Sequence, residues 1–299
     1  MAPGGWDRIA AWRDDRTGET GDLWHRALID PGLLSVVGAV RGLRVLEIAC
    51  GNGYLTRRFA RDGARRAVGI DRSGPSIERA MRRERRVPTG ARFARADASD
   101  LRRFRGRSFD LVVANMALMD IEDAAGAVRE ARRVLAQDGR FVFSICHPCF
   151  DTDERSMWVV ERAMRPNGSF GDTVWRKVSG YRDERKSSVP WFVSPTRTAW
   201  TTAYHRTLST YSRLLRDAGF AIRRMEEPTP GPELLEQSPQ GRYIAEIPLH
   251  LIVEAVPDAV RRAASGTTAR TRRGAGRRSG SPGRRRRTGS GRRGSTPGS

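Results

Sequence analysis

Between residues 43 and 147 the sequence alternates short, continuous apolar runs with longer segments in which apolar residues recur at helical spacing. The apolar runs are RVLEIAC, RAVGID, ARFARAD, FDLVVANMAL and RFVFSICH, and their length and continuity are typical of strands buried on both faces of a parallel sheet. The intervening segments YLTRRFARDG, SGPSIERAMRRERR and EDAAGAVREARRVLAQDG predict helices, the last of them ending at Gly139. Strands that alternate with helices predict an α/β fold with a doubly wound, mostly parallel sheet.

The segments on either side of this block follow other patterns. Residues 6–41 predict helices, whereas residues 150–203 show no regular period and are predicted to be irregular. YHRTLSTYSRLLRDAGF then predicts a helix that has His205 near its start and Gly219 just past its end. AIRRMEEP and LHLIVEAV predict a C-terminal antiparallel pair of strands at the edge of the sheet.

The seven tryptophans lie outside the alternating block, at positions 6, 12, 24, 158, 175, 191 and 200. This distribution predicts that the flanking segments fold over the top of the sheet as an aromatic-rich cap, although a small satellite core would give the same distribution. The predicted organisation is an N-terminal helical lid at 1–42, an α/β core at 43–149, a cap insertion at 150–203, a C-terminal completion of the core at 204–258, and a tail at 259–299.

The strongly basic composition resides largely in the C-terminal tail. The formal net charge is +21, and the thirteen arginines from Arg261 onward, with no acid among them, leave +8 on the first 260 residues. A segment of Arg, Gly, Ser, Thr and Pro cannot bury enough apolar surface to offset its conformational entropy, so the tail is predicted to be disordered. Residues 263–299 could bind polyanions weakly and without specificity, or the tail could be a dispensable extension.

Other sequence features narrow the class of protein. No apolar stretch is long enough to span a membrane and the N-terminus has no secretory pattern, so we expect a cytoplasmic protein without a membrane partner. The three cysteines are too few for a disulfide framework. Cys146 and Cys149 have C-x-x-C spacing, which could be a redox pair or half of a metal site; no second pair completes tetrahedral zinc, and no metal is predicted.

The turn after the first predicted strand is the strongest chemical signal. Gly51 and Gly53 lie in the sequence ACGNG, and a turn with few Cβ atoms lets a ligand approach the backbone. A dinucleotide fingerprint would need a glycine at position 56, which is threonine, and a phosphate-binding loop would need Gly-Lys-Ser/Thr. Neither motif is present, so another nucleoside-containing ligand is favoured.

Acidic residues near the ends of three predicted strands indicate which ligand. Glu47 lies near the glycine turn, where it can orient backbone or attract a cationic group. Asp71 ends the second strand, where a carboxylate can bind ribose hydroxyls, and Asp97 ends the third, where it can bind an exocyclic amine such as adenine N6. These positions suit an adenosine without a pyrophosphate, and S-adenosylmethionine is such a ligand.

Taken together, the motifs resemble those of a known enzyme family. VLEIACGNGYLTRRFA, VGID, ARADASDL, FDLVVANMALMDIED and VREARRVLAQDGRFVFS are similar, in order and spacing, to the successive motifs of class I S-adenosylmethionine-dependent methyltransferases. A bacterial small-molecule subgroup of that family is resembled by the N-terminal WDRIAAWRD and HRALIDPGLL and by the later ICHPCF, YHRTLSTYSRLLRDAGF and EEP. The resemblance implies a seven-stranded Rossmann-like sheet, S-adenosyl-L-methionine as cofactor and methyltransferase activity. The sequence departs from the family at IAC, because D-x-G-C-G is commoner there and the first glycine of the turn is missing.

The resemblance also implies which residues bind the cofactor. Those near the glycine turn would line the methionine moiety, those after the second and third strands the nucleoside, and those after the fourth strand the sulfonium. Glu47, Gly51 and Gly53 would line the methionine moiety. Asp71 and Arg72 would lie at the ribose, and Asp97 and Ala98 at the adenine. Asn115 and Met116 would face the sulfonium. His25 and Trp6 would close over the cofactor from the N-terminal segment.

Methyl transfer needs a base only when the acceptor must lose a proton. His147, after the fifth strand, and His205 are the catalytic candidates because imidazole titrates near neutrality, although either could be structural. We expect transfer to an O or N atom of a small organic acceptor, such as a specialised metabolite. An RNA-directed methyltransferase assisted by the basic tail and a non-catalytic S-adenosylmethionine-binding protein are the alternatives.

Overall fold

The computed structural model describes residues 5–164 and 166–259. Within this part of the chain the strands are β1 Arg44–Ile48, β2 Arg66–Asp71, β3 Arg92–Arg95, β4 Phe109–Ala114, β5 Leu135–Cys146, β6 Ser156–Met164, β7 Phe170–Val178, β8 Arg185–Ser194, β9 Arg197–His205, β10 Phe220–Glu226 and β11 His250–Pro257. The α-helices are α1 Gly5–Thr17, α2 Asp30–Val37, α3 Tyr54–Arg61, α4 Gly74–Arg86, α5 Ala124–Val134, α6 Leu208–Asp217, α7 Pro232–Gln237 and α8 Pro239–Glu246. The tail, with its predicted disorder and polyanion binding at 263–299, lies outside the described residues apart from position 259.

Seven of the strands form one sheet in the order β10-β11-β5-β4-β1-β2-β3. Strands β1 to β5 pair in parallel, whereas β11 runs antiparallel to both β5 and β10. The predicted doubly wound, mostly parallel sheet with an antiparallel C-terminal strand is therefore confirmed. The strand order reverses between β1 and β4, and in sheets of this kind ligands bind at the carboxyl ends of the strands beside that reversal.

The central strands bury aliphatic side chains on both faces of the sheet. Val45, Leu111 and Val113 belong to one buried cluster, whereas Leu46 and Val112 belong to another, because successive side chains of a strand point to opposite faces. Strands buried in this way give continuous apolar runs in the sequence. Strands β1, β2, β4 and β5 could be predicted for this reason, whereas β3 at the edge of the sheet is only partly buried.

The helix that precedes β5 is shorter than the sequence pattern predicts. It ends at Val134, and Gly139 lies inside β5 instead of ending the helix. β5 has a register shift where it pairs with Phe109–Leu111 of β4. A Cβ at Gly139 would lie 2.8 Å from the carbonyl oxygen of Asp110, so glycine allows this irregular part of the strand to approach its neighbour.

The prediction that residues 150–203 are irregular is wrong, because most of them form two antiparallel hairpins. In the first hairpin β6 pairs with β7, and in the second hairpin β8 pairs with β9. The apolar residues lie on both faces of these strands and many are exposed, so the sequence lacks a clear two-residue period. His205 is the last residue of β9 and does not begin the following helix, which starts at Leu208.

The second hairpin packs over the carboxyl edge of the sheet. Its strand β9 contacts α1 and also the short turn Leu118–Asp120 that follows β4. Trp191 of β8 meets two rings of α1, with centroid distances of 5.7 Å to Trp6 and 5.8 Å to Trp12. The N-terminal helix and the second hairpin thus meet through an aromatic cluster above the strand ends.

Residues 5–164 and 166–258 form one compact unit. Its division into lid, core, cap and completion stays a prediction about roles, since these segments pack together in a single folded body. Among residues 5–164 and 166–259, no helix combines the length and apolar character that crossing a bilayer would require.

Candidate functional site

The glycine turn between β1 and α3 is held in a left-handed backbone conformation. Gly51 and Gly53 have φ values of 56° and 78°, and Ala49 has 55°. A Cβ at Gly51 would have no described heavy atom within 4 Å, so the turn faces open space there. A Cβ at Gly53 would overlap the ring of Phe93. The first glycine therefore leaves room for a ligand, and the second allows the turn to pack on the sheet.

Glu47 lies beneath the turn and is 3% exposed. Its Oε2 accepts a hydrogen bond from the hydroxyl of Thr56 in α3. Burial raises the pKa of Glu47 to about 8, because a charged carboxylate loses its hydration there. The side chain fixes α3 to β1, and a cationic ligand nearby would favour its ionised form. Its predicted contact with the methionine moiety stays a prediction.

Asp71 connects the end of β2 to the glycine turn. One carboxylate oxygen accepts from the Gly51 N–H at 2.9 Å and the other from the Ser73 N–H at 2.8 Å. Burial raises its pKa, and the two backbone hydrogen bonds oppose that shift. Each carboxylate oxygen has a further acceptor site, so ribose hydroxyls could still donate to it. Arg72 beside it is exposed, and its carbonyl oxygen accepts from the Arg95 Nε at 3.0 Å.

Asp97 follows β3 at the same edge and is exposed. One of its oxygens accepts from the N–H of Ser99 at 2.9 Å and from its hydroxyl at 2.7 Å. The other oxygen accepts no hydrogen bond from the described residues and remains available for an amine. Ala98 is buried in the core of the sheet. The predicted adenine contacts of both residues stay predictions.

Asn115, directly after β4, belongs to a hydrogen-bonded network that the sequence did not reveal. Its Nδ2 donates to Asp30 at 2.9 Å and to the Tyr54 hydroxyl at 3.3 Å, and its Oδ1 accepts from the Ser144 hydroxyl at 2.6 Å. The same Ser144 hydroxyl accepts from the Met116 N–H at 2.8 Å. This network joins β4, β5, α3 and α2, and it fixes the two residues predicted to face the sulfonium.

Asp30 is the residue of this network that sequence reasoning missed. It is 2% exposed, and both of its oxygens lie 3.0 Å from the Tyr54 hydroxyl. Burial raises the pKa of Asp30, and the nearby His25 partly opposes that shift. The available signal was an acid within the apolar run ALIDPGLL, but the sequence did not indicate its partners in α3 and β4.

The N-terminal segment also binds the glycine turn directly. Asn52 donates from Nδ2 to Asp14 at 2.9 Å and to the Gly18 carbonyl at 2.9 Å. Trp6 contacts the second hairpin as described above, and His25 is buried with its Nδ1 2.8 Å from Asp22. The lid is thus attached to the turn through Asn52, a residue that the glycine motif leaves unspecified.

His147 has partners at both ring nitrogens. Nδ1 accepts from the Cys149 N–H at 3.2 Å, so Nε2 carries the proton and donates to Glu227 at 3.0 Å. Burial lowers its pKa, and Glu227 opposes that effect. These bonds fix the turn after β5 to the chain after β10. His147 lies at the expected edge, but its geometry favours a structural role over proton transfer.

His205 is buried at the end of the second hairpin. Its Nε2 donates to the Tyr181 carbonyl at 2.8 Å, and the Tyr181 ring lies edge-on at 6.1 Å. This bond joins the base of the hairpin to the loop before it. A catalytic role for His205 stays a prediction, and its described contacts favour positioning of the cap.

The comparisons with known proteins agree with this geometry. Residues 46–143 match the family described as "Methyltransferase domain". A solved S-adenosylmethionine dependent methyltransferase from Mesorhizobium loti is 29% identical with a TM-score of 0.58, over 75% of this chain and 95% of that one. A demethylmenaquinone methyltransferase of Clavibacter sepedonicus is 29% identical over 242 residues, which are 78% of this chain and 89% of that protein.

Another curated relative has a higher sequence identity over a shorter stretch of the chain. A ubiquinone/menaquinone biosynthesis C-methyltransferase of Idiomarina loihiensis is 33% identical over 122 residues, 40% of this chain. The match spans about half of that relative, 46% of its length. The glycine turn, the acids at neighbouring strand ends and these similarities lead to one conclusion. The chain belongs to the S-adenosylmethionine-dependent methyltransferases, and S-adenosyl-L-methionine is its cofactor.

Proposed function

We propose that this methyltransferase moves a methyl group to an O or N atom of a small organic acceptor bound between the carboxyl edge of the sheet and the cap. The observation that carries the proposal is the position of the second hairpin. It contacts both α1 and the turn after β4, directly above the strand ends. An acceptor held there would be enclosed by the cap and would face the glycine turn.

The aromatic residues of the cap support an acceptor that is planar or partly apolar. Trp191 meets Trp6 and Trp12 on one side of this region. In the first hairpin Trp158 lies 5.4 Å from the Tyr243 ring of α8. Trp158 and Met116 both pack against one buried cluster. Small-molecule sites are commonly lined by such side chains with a few polar groups among them.

The names of relatives support the same class of acceptor. One curated relative is named a ubiquinone/menaquinone biosynthesis C-methyltransferase and another a ubiquinone biosynthesis O-methyltransferase. Both names refer to the biosynthesis of quinones. They differ in the atom that is methylated, so the choice of O or N for this chain rests on our proposal and is open to test.

The cofactor, when bound, supplies a methyl group activated by a positively charged sulfur. The residues of this chain have to bind it, align the acceptor and exclude water. Alignment of two reactants can contribute about 7–11 kcal/mol to lowering a barrier. The network around Asn115 and the Asp71–Gly51 hydrogen bond are rigid elements suited to that task.

The basic surface of the core does not favour the RNA-directed alternative. Arg44, Arg65, Arg66 and Arg92 surround a cavity of about 350 Å³. Three of them begin β1, β2 and β3, so they lie at the amino ends of the strands, about 15 Å from the carboxyl ends. A nucleic acid bound there would be on the opposite edge from the glycine turn. The non-catalytic alternative gives no role to the second hairpin above the strand ends.

Two measurements test this proposal. Calorimetry with S-adenosylmethionine and S-adenosylhomocysteine should show binding, and Asp71→Ala and Asp97→Ala should weaken it by about tenfold to a hundredfold through the loss of hydrogen bonds to a charged group. Asp100→Ala is the matched control, because Asp100 is an exposed acid of the same loop that pairs with Arg102. A mass-shift screen of metabolites with labelled cofactor should then identify the acceptor. Absence of binding at millimolar cofactor, or labelling of RNA alone, would contradict the proposal.

A further inference from the structure

Asp120 occupies a fixed position on the turn that follows β4. It ends the turn Leu118–Asp120, and its N–H donates to the Ala117 carbonyl at 2.9 Å. Arg206, just beyond the second hairpin, donates to the Leu118 carbonyl at 3.0 Å and to the Ile121 carbonyl at 2.7 Å. The turn is therefore held between the strand ends and the base of the cap.

The other acids of this region already have hydrogen-bond donors. Asp71 accepts two backbone N–H groups, Asp30 accepts from Tyr54 and Asn115, and Glu47 accepts from Thr56. The carboxylate of Asp120 accepts no hydrogen bond from the described residues, and its side chain is partly exposed at this edge of the sheet. The surrounding protein raises its pKa to about 8, because it takes away part of the hydration of the charged form. A carboxylate that has no protein donor and is still accessible can accept a hydrogen bond from a ligand.

Charged and titratable groups from four elements interact electrostatically with this carboxylate. Arg13 of α1 stabilises its charge, and Asp71 of β2 opposes it. Burial raises the pKa of Cys146 at the end of β5 and of Tyr211 in α6, and the charge of Asp120 adds to both shifts. The turn that carries the carboxylate contacts β5 and also β9 of the second hairpin.

We propose that Asp120 is a catalytic residue that binds a hydroxyl group of the methyl acceptor and receives its proton. The assignment rests on the proposed function and adds to it that the acceptor presents a hydroxyl to this turn. Asp120 is better suited than the two histidines, because His147 uses both ring nitrogens in the fold and His205 uses Nε2.

The proposed step balances without any further reactant. The acceptor oxygen forms a bond to the methyl carbon while the carbon–sulfur bond breaks, and the electron pair of that bond goes to sulfur. The hydroxyl proton moves to a carboxylate oxygen of Asp120 and is later released to water. The products are the methyl ether, S-adenosylhomocysteine and one proton. The positive charge of the sulfonium and of Arg13 favours the ionised carboxylate before transfer.

The test compares Asp120→Asn with Glu122→Gln, a change of the same kind at an exposed acid two residues away. The probe is catechol, whose hydroxyl groups keep their protons near neutral pH, with methyl-labelled S-adenosylmethionine, and labelled product is measured by mass spectrometry. We expect Asp120→Asn to lower the initial rate at least a hundredfold, the scale of general-base catalysis, and Asp120→Glu to restore part of it. S-Adenosylhomocysteine affinity should stay within threefold of the wild type in all three variants.

Thermal unfolding separates catalysis from structure. Because Asp120 has no donor, Asp120→Asn should keep or raise the melting temperature while it lowers the rate; a structural acid would show the opposite. A wild-type rate in Asp120→Asn, or a parallel loss of S-adenosylhomocysteine binding, would overturn the assignment. Wild-type protein that binds S-adenosylhomocysteine yet gives no labelled methyl ether of catechol would also count against it. Failure of the wild type to bind S-adenosylhomocysteine would instead contradict the proposed function.

Discussion

The carboxyl edge of the sheet and the cap above it are built in different ways. At the edge, residues close in sequence to the strand ends hold one another, as Asp71 holds Gly51 and Ser144 holds Asn115. The cap consists of two-stranded hairpins with large apolar side chains exposed, such as Phe192 at 74% and Met164 at 67%. The hairpins are fixed mainly at their bases and through Trp191.

The difference separates two kinds of recognition. Cofactor binding relies on a preformed turn and on carboxylates positioned by parallel strands, which is a local and repeatable arrangement. Acceptor binding relies on contacts between segments far apart in the chain, as in Trp191 with Trp6 or Arg206 with the Leu118 carbonyl. Changes at the edge should therefore alter cofactor affinity, and changes in the cap should alter turnover of the acceptor.

The two glycines of the turn should give the largest effects and should differ in kind. Gly53→Ala should lower the free energy of unfolding by about 3 kcal/mol, because the new Cβ meets Phe93 and φ is positive. Gly51→Ala should cost only about 1 kcal/mol, since its Cβ meets open space, but should weaken cofactor binding at least tenfold. Urea unfolding and calorimetry measure the two quantities. Equal losses of stability in the two variants, or wild-type cofactor affinity in Gly51→Ala, would contradict the different roles given to the two glycines.

Trp191→Ala should separate the cap from the lid. It removes two aromatic contacts and the hydrogen bond from the indole N–H to Thr201 at 2.7 Å, so we expect a loss of about 2 kcal/mol in unfolding free energy. Acceptor turnover should fall more than tenfold while cofactor affinity changes less than threefold. Phe192→Ala, at the next and exposed position, should stay within about 0.5 kcal/mol of the wild type. If cofactor binding falls as much as turnover, the division between edge and cap is wrong.

Glu47→Gln should change how stability depends on pH. The pKa of Glu47 is raised from 4.5 to about 8 in the folded protein, so its contribution to stability is complete below pH 4.5 and is lost as pH rises through 8. The amide cannot ionise, so the variant should gain about 1 kcal/mol or more relative to the wild type between pH 5 and pH 8. Denaturant unfolding at several pH values measures this, with Glu122→Gln as the control. If the difference in unfolding free energy between the variant and the wild type stays the same across that range, Glu47 is already ionised in the folded protein.

Ala49→Gly should have the smallest effect. Ala49 has a φ of 55°, a left-handed conformation that glycine adopts more readily than alanine. Restoring the glycine that the turn lacks should raise the unfolding free energy by up to about 1 kcal/mol, because relief of the strain exceeds the entropy added to the unfolded chain. Cofactor affinity should change little. A destabilised variant would indicate that the methyl group of Ala49 contributes packing that outweighs the strain.

The sequence predicted the parts of the molecule that depend on local pattern. Four of the five parallel strands, the glycine turn and the acids Asp71 and Asp97 could be located because burial on two faces and turn chemistry leave direct marks in the sequence. The fifth, β3, is only partly buried and was located from the alternation of strands and helices. The end of α5 could not be located from the sequence. The helical pattern continues through residues that in the structure belong to β5 and pair with β4. Asp30, Asn52 and Arg206 act through partners distant in sequence, and no local feature indicates those partners.

The central claim is that carboxylates at neighbouring strand ends bind the nucleoside of S-adenosylmethionine beneath a cap that holds the acceptor. A crystal structure of the chain with S-adenosylhomocysteine tests it most directly. The account predicts the ribose hydroxyls against Asp71, the adenine amine against Asp97, and the methionine portion above Gly51. A nucleoside bound elsewhere, or an Asp71 carboxylate turned away from the ribose, would contradict it.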